Sequence, residues 1–235
     1  MARDVLVIVP TFNERENLAE LCAGIRTHVP SADILVVDDG SPDGTAAHAA
    51  ELGARLGGVE VLRRDRPRGI GSAYREGFRR GLAQGYRRLV SMDADLSHEP
   101  RHLPALLAAA EDADVAIGSR YLRGISVVNW SLRRLALSVA GNAYARIITR
   151  LPVRDCTSGF QCFRREVLEA IDPERLRFNG YAFLIEIKYR AHRRGFRFHE
   201  VPIIFVERRS GVSKNGLASA WRSLWAVWAL RLGRS

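Results

Sequence analysis

The sequence predicts an α/β fold: a mostly parallel central sheet with helices on both faces. Three observations carry that prediction. Apolar runs of strand length recur at Val5–Val9, Ile34–Val37, Val59–Leu62, Leu89–Met92 and Ala113–Gly118. Stretches of helical pattern separate them, the alternation of a sheet assembled from β-α-β units. The first two runs are unbroken rather than alternating, as in strands covered on both faces.

The first strand, Asp4 to Pro10, is ended by a proline, which has no amide for a sheet ladder. Thr11 to Leu18 reads as a helix start, with Asn13 as cap and Glu16 three residues on, as in a capping box. The second strand runs into Asp38 and Asp39 and then the turn residues Ser41-Pro42-Asp43-Gly44. Val59 to Leu62 is a third, shorter strand. A helix opens near Arg68-Gly69-Ile70-Gly71 and runs to Gln84; Gly69, Gly71 and Gly77 lack the spacing of a dinucleotide fingerprint. The fourth strand, Arg88 to Met92, leads into Asp93 and Asp95, and Ala113 to Gly118 is the fifth. Ser131 to Arg150 reads as a helix mixing Leu132, Leu135, Val139 and Tyr144 with Arg133, Arg134, Arg146 and Arg150. Asp155 to Phe160 reads as a turn, followed by helices from Arg165 and over Gly180 to Arg193. His199 to Val206 reads as a late strand, its Pro202 suited to a sheet edge. Arg208 to Lys214 reads as a basic loop.

In the tail, Leu217, Trp221, Leu224, Trp225, Trp228 and Leu232 fall on one helical stripe about 100° wide. With arginines off the stripe, this suits a helix lying in a membrane interface. It equally suits a helix packed on the domain or on a second copy. The expected organisation is a main domain over residues 1–216 and an amphipathic helix over 217–235.

The chain has 36 Lys+Arg against 26 Asp+Glu, a net charge of +10 that suits polyanions: nucleic acid, anionic lipid or phosphorylated substrates. The cysteines, Cys22, Cys156 and Cys162, lack metal-ligand spacing, so a reducing compartment without disulfides is expected. Val5–Val9 is too short for a signal segment, and no apolar stretch is long enough to span a bilayer.

The chemistry centres on Asp93 and Asp95. In an extended segment, side chains at i and i+2 share a face. These two carboxylates can therefore converge just past a strand, where open α/β sheets bind ligands. Two hard oxygen donors suit Mg²⁺ or Mn²⁺. A lone D-x-D is equally a polar turn; the second acidic strand end, at Asp38 and Asp39, is what argues for a site. His98-Glu99-Pro100-Arg101-His102 matches H-E-x-x-H by letter. Pro100 favours a first helical turn, so His98 is expected to precede that helix and no zinc site to form.

PTFNERENL (residues 10–18), VVDDGSPDGT (36–45), MDADLSHEP (92–100), GSRY (118–121) and ERRSGVSKNG (207–216) together resemble family 2 glycosyltransferases of GT-A fold. Within that family the likeness is to dolichyl- or polyprenyl-phosphate mannosyltransferases. The resemblance implies that 1–216 is the catalytic domain and that Pro10, Phe12, Glu14, Val37 and Asp39 hold the nucleotide. It assigns Asp93, Ala94 and Asp95 to nucleotide and metal, Mg²⁺ or Mn²⁺, and Arg120, Arg208 and Lys214 to phosphates, with Asp95, Arg208 and Lys214 catalytic. Phe12 stands where tyrosine is common, and Ser97 where some relatives have glutamine. The implied partners are GDP-mannose, a polyprenyl phosphate, the cytoplasmic face of the membrane and a separate membrane-anchoring protein. A UDP-sugar such as UDP-glucose is the alternative donor. Nucleic acid, which the charge alone would permit, is disfavoured because acidic strand ends repel its phosphates.

Overall fold

The computed structural model describes residues 3–206 and 225–232. Arg208, Lys214, Leu217, Trp221 and Leu224 lie outside the described residues.

Seven strands form the central sheet, in the order β3-β2-β1-β4-β7-β5-β8. These are β1 (Val5–Thr11), β2 (Asp33–Asp38), β3 (Val59–Arg63), β4 (Arg88–Ser91), β5 (Val115–Ser119), β7 (Gln161–Arg164) and β8 (Phe198–Pro202). β7 runs antiparallel to β4 and β5, and the other pairings are parallel. β6 (Val127–Val128) and β9 (Phe205–Val206) pair separately. The late strand expected over His199–Val206 is thus split in two, and β8, with Pro202 at its end, is one of the two sheet edges.

Side chains of β1 alternate between two cores. Val5, Val7 and Val9 pack with α1 (Arg15–His28), α2 (Thr45–Leu56) and α4 (Leu103–Asp112). Leu6 and Ile8 pack with α3 (Ile70–Ala83), α6 (Arg165–Ile171) and α7 (Gly180–Arg193). Unbroken apolar strands are the consequence of this double cover. α5 (Leu132–Thr149) is half out of it, burying only Asn142, Ala145 and Thr149.

Two local readings are corrected. Asn13 does not cap α1: it takes φ 60° and donates its N–H to Ser41 Oγ at 3.0 Å. The cap position falls on Glu14, whose carboxylate accepts from Asn17 Nδ2 at 2.8 Å, and no side chain caps the helix, so the box expected of Asn13 and Glu16 does not form. The turn read over Asp155–Phe160 runs directly into β7, a four-residue strand whose Gln161 and Arg164 mask its apolar pattern.

α3 lies close on the sheet because it presents glycines there. A Cβ on Gly77 would meet Ile8 Cγ2 at 2.5 Å. Alanine should gain about 1 kcal/mol in helix propensity but cost about 1–3 kcal/mol in overpacking. Gly77→Ala is therefore expected to lower the melting temperature, read by thermal denaturation. A stabilised variant would contradict this packing.

Candidate active site

The site grows from the carboxyl ends of β1, β2 and β4, which lie side by side. Thr11 pairs with Asp38 and Ile8 with Ser91, so the acidic residues after β2 and β4 emerge on one edge. β4 ends at Ser91, and the next residues keep a strand's alternation: Met92 and Ala94 are buried, Asp93 and Asp95 half-buried. Leu96, at φ 61°, then turns the chain, and Asp95 Oδ1 accepts the Ser97 N–H at 3.1 Å.

Asp93 is set from two sides. The Tyr74 hydroxyl, on α3, donates to Asp93 Oδ1 at 3.1 Å. Burial, and then the Asp93 charge, hold this phenol well above its ordinary pKa, so it remains a donor. His98 Nδ1 accepts the Asp93 N–H at 3.2 Å, and the ring stacks on Phe160 with centroids 5.3 Å apart. An Nδ1 that accepts puts the proton of the neutral ring on Nε2. His102 Nε2 instead accepts the Ile204 N–H at 3.4 Å, so the two H-E-x-x-H histidines have separate partners. On another side of Asp93 lies Gly159, where an added Cβ would come to 3.5 Å from Oδ1.

The second acidic pair is engaged differently. Asp38 accepts from Thr11 Oγ1 at 3.1 Å, Ser41 N–H at 3.0 Å and Ser41 Oγ at 2.6 Å, closing the turn after β2. Asp39 is paired with the buried Arg64 and accepts the Arg68 N–H at 3.3 Å. Arg64 also donates to Ser72 Oγ at 2.8 Å on α3. Pro10 and Phe12 are half-buried at the end of β1, with Glu14 beyond them donating its N–H to Thr45 Oγ1 at 3.1 Å. Val37 is fully buried within β2, paired to β1 and β3, and Ala94 is nearly so.

Arg120, just past β5, is 6% exposed. Its Nε and Nη2 each lie 2.7 Å from the Asp155 carboxylate, a bidentate pair, and Nη2 also donates to Thr157 Oγ1 at 2.8 Å. The rings of Tyr121, Trp130 and Phe205 stand 5.4–5.7 Å from the guanidinium carbon. Burial alone would push the Asp155 carboxyl up; the Arg120 guanidinium more than reverses this and holds it below the usual carboxylate range. The charge that the sequence offers to a phosphate is thus already matched inside the protein. Nothing in the sequence marks Tyr74, Arg64 or Asp155 as belonging here, since each reaches its partner across 19 to 35 residues.

Among the described residues no group of three or more His, Cys, Asp or Glu gathers as a protein-only metal centre would need. Two carboxylates emerging together do fit Mg²⁺ or Mn²⁺, which binds one or two carboxylates and completes its shell with water and phosphate oxygens.

Comparisons with known proteins give the family and the fold. The model of Glycosyl transferase family 2 matches residues 6–172. The chain is 47% identical to the polyprenol monophosphomannose synthase of Mycolicibacterium smegmatis, over 96% of this chain and 87% of that protein. It is 44% identical to the undecaprenyl-phosphate mannosyltransferase of Micrococcus luteus, over 94% and 97%. Among solved structures, it superposes on the Mycobacterium tuberculosis glucosyl-3-phosphoglycerate synthase, in complex with Mn²⁺, UDP and phosphoglyceric acid, with a TM-score of 0.71. That likeness covers 99% of this chain and 78% of that one at 21% identity, and speaks for the fold. The chain belongs to glycosyltransferase family 2, and its fold is the GT-A arrangement expected from the sequence.

The geometry yields two expectations. Tyr74→Phe removes a hydrogen bond to a charged carboxylate, so stability should fall by about 1.5–3 kcal/mol. The Mn²⁺ concentration for half-maximal nucleotide binding should rise severalfold, read by calorimetry; an unchanged value would detach Tyr74 from the site. Arg120→Ala leaves Asp155 buried without its cation and should cost roughly 3–5 kcal/mol in denaturant unfolding. Since the Asp155 pKa is lowered on folding, the stability this pair contributes is present above its unfolded value of roughly 3.9 and fades as pH falls through the folded one.

Proposed function

We propose that this family 2 glycosyltransferase is an inverting enzyme that moves mannose from GDP-mannose to a polyprenyl phosphate, giving polyprenyl-phosphate β-mannose and GDP. The observation that carries the reading is 47% identity, over 96% of the chain, with an enzyme named for polyprenol monophosphomannose synthesis.

The residues support the chemistry. Pro10, Phe12, Glu14, Val37 and Asp39 would receive the nucleotide at the ends of β1 and β2. Asp93 and Asp95 would hold Mg²⁺ or Mn²⁺, which neutralises charge on the departing diphosphate. Arg208 and Lys214, from outside the described residues, would hold phosphates, and Arg120, its charge already matched by Asp155, would shape a wall of the site. A phosphate monoester has a second pKa of roughly 6, so near neutral pH the acceptor is a dianion. One of its oxygens forms the new bond to the anomeric carbon as the bond to the β-phosphate oxygen breaks. No proton moves, so no general base is required.

A prenyl chain stays in the bilayer, so we place the enzyme peripherally on the cytoplasmic face. No helix among the described residues is long and apolar enough to cross a membrane. Two exposed apolar faces support interfacial docking instead. α5 presents Leu132 (84% exposed), Leu137, Val139 and Ile147 beside the exposed Arg133, Arg146 and Arg150. Residues 225–231 are helical; Ala226, Val227 and Leu230 are buried, whereas Trp225 (77% exposed), Trp228 and Leu232 face out. Each arginine near an anionic leaflet can add about 1 kcal/mol of attraction.

Transfer to prenyl phosphate should be measured with GDP-mannose and UDP-glucose, with Mn²⁺ and with EDTA. GDP-mannose should be the donor, and EDTA or Asp95→Ala should lower turnover at least about 100-fold. Transfer from UDP-glucose alone would favour the other donor, and full activity in EDTA would remove the metal. Trp225→Ser with Trp228→Ser should weaken binding to protein-free vesicles containing anionic lipid at unchanged melting temperature. Vesicle binding absent from the parent chain would point to a separate anchoring protein.

A further inference from the structure

We propose that Lys188 is a positioning residue for the transfer reaction, its buried ammonium fastening the loop over residues 155–159 that sets both Arg120 and Asp93. The inference rests on the reading of this site as a transferase centre.

Lys188 lies on the inner face of α7 and is fully buried. Its Nζ donates to Cys156 O at 3.1 Å, Ser158 O at 2.9 Å and Leu184 O at 3.1 Å. An ammonium has three donors, and three main-chain carbonyls take them. Burying a cation costs several kcal/mol, whereas methionine would fill similar space without that cost. A lysine here therefore does something that packing alone does not need. Two of its acceptors belong to one short loop, which joins the two halves of the site. Asp155 clamps Arg120 from this loop, and Thr157 binds both Arg120 and Asn142. Ser158 Oγ donates to Gly118 O on β5 at 2.6 Å, and Ser91 Oγ on β4 donates to Gly159 O at 2.7 Å. Gly159 then lies against Asp93. Without the ammonium, the Cys156 and Ser158 carbonyls would turn toward other donors and carry Asp155 and Gly159 with them.

The charge of Lys188 is also titratable in a useful range. Burial pushes its pKa down to about 8, against the pull of Asp155. The groups facing it are Asp155, Cys156, Arg120 and Glu200, and burial pushes the Cys156 thiol up to about 12, so that group stays neutral. Above pH 8 the amine has two N–H donors for three carbonyls. The unfolded pKa is roughly 10.4, so the unfolded chain binds more protons between the two values and stability rises with pH there. On substitution by methionine, a structural role would lose stability together with activity. A positioning role loses turnover while stability holds.

The test is kcat, KM and melting temperature from about pH 7 to about pH 9.5 for the parent, Lys188→Met and Lys188→Gln. The parent kcat should fall about tenfold through a midpoint near 8 with unchanged or higher melting temperature. Lys188→Met should start about tenfold lower and stay flat, with donor KM changed less than kcat. A flat parent profile overturns the inference, as does a variant that tracks the parent or a parent melting temperature that falls with kcat. Should Lys188→Met not fold, Lys188→Gln and the parent profile decide in the same terms. A parent that transfers no sugar to prenyl phosphate overturns the functional reading instead. The inference is then read from Mn²⁺-dependent GDP binding, where the same midpoint supports it and a flat profile overturns it.

Discussion

The buried pair of Arg120 and Asp155 is the interaction on which the shape of this site depends. Desolvating two charges is repaid only by close geometry and further hydrogen bonds. Here the pair is bidentate, Thr157 adds an acceptor, the Arg120 main-chain amide donates to the buried Asp155 carboxylate and the Asp155 amide to the half-buried Glu200. The pair ties the end of β5 to the loop before β7. That loop carries Gly159 against Asp93, so a salt bridge remote in sequence defines one wall of the acidic edge.

The same reasoning changes the meaning of the net charge. Read as a sum, +10 suggests arginines free for polyanions. Several of them are committed within the fold. Arg64 and Arg120 neutralise Asp39 and Asp155, and Arg190 pairs with the fully buried Glu186. Arg75, Arg164 and Arg165 donate to main-chain carbonyls of Phe178, Ala110 and Leu82, at turns and helix ends. Such pairing leaves the net charge unchanged, but fewer of the arginines can turn toward a ligand than the composition suggests; exposed ones include Arg133 and Arg146 on α5.

The parallel strands were legible because double cover demands unbroken apolar runs, and the acidic strand ends because side chains two apart share a face. Gly180–Arg193 was legible to the residue, its glycine at the start and basic residues in the last turn marking both ends. β7 was not, because four residues with Gln161 and Arg164 at the ends carry too little pattern against a neighbouring helix. Arg120 was legible as a motif position but not as half of a buried pair, since Asp155 reaches it only through the strand order. Tyr74 and Lys188 were hidden for the same reason: on helices their spacing speaks for core, and the polar tips find partners by topology. The acidic pairs divided in a way no pattern foretells, Asp38 closing a turn and Asp39 meeting Arg64.

The central claim is that the β4 carboxylates hold a divalent cation together with the donor's diphosphate. The most direct measurement is the electron paramagnetic resonance of Mn²⁺ titrated with this protein and GDP. The sharp signal of the free ion should be lost when both are present, and a protein carrying Asp93→Asn with Asp95→Asn, folded by circular dichroism, should leave no more bound than GDP alone does. Equal loss of signal in that variant would contradict the claim.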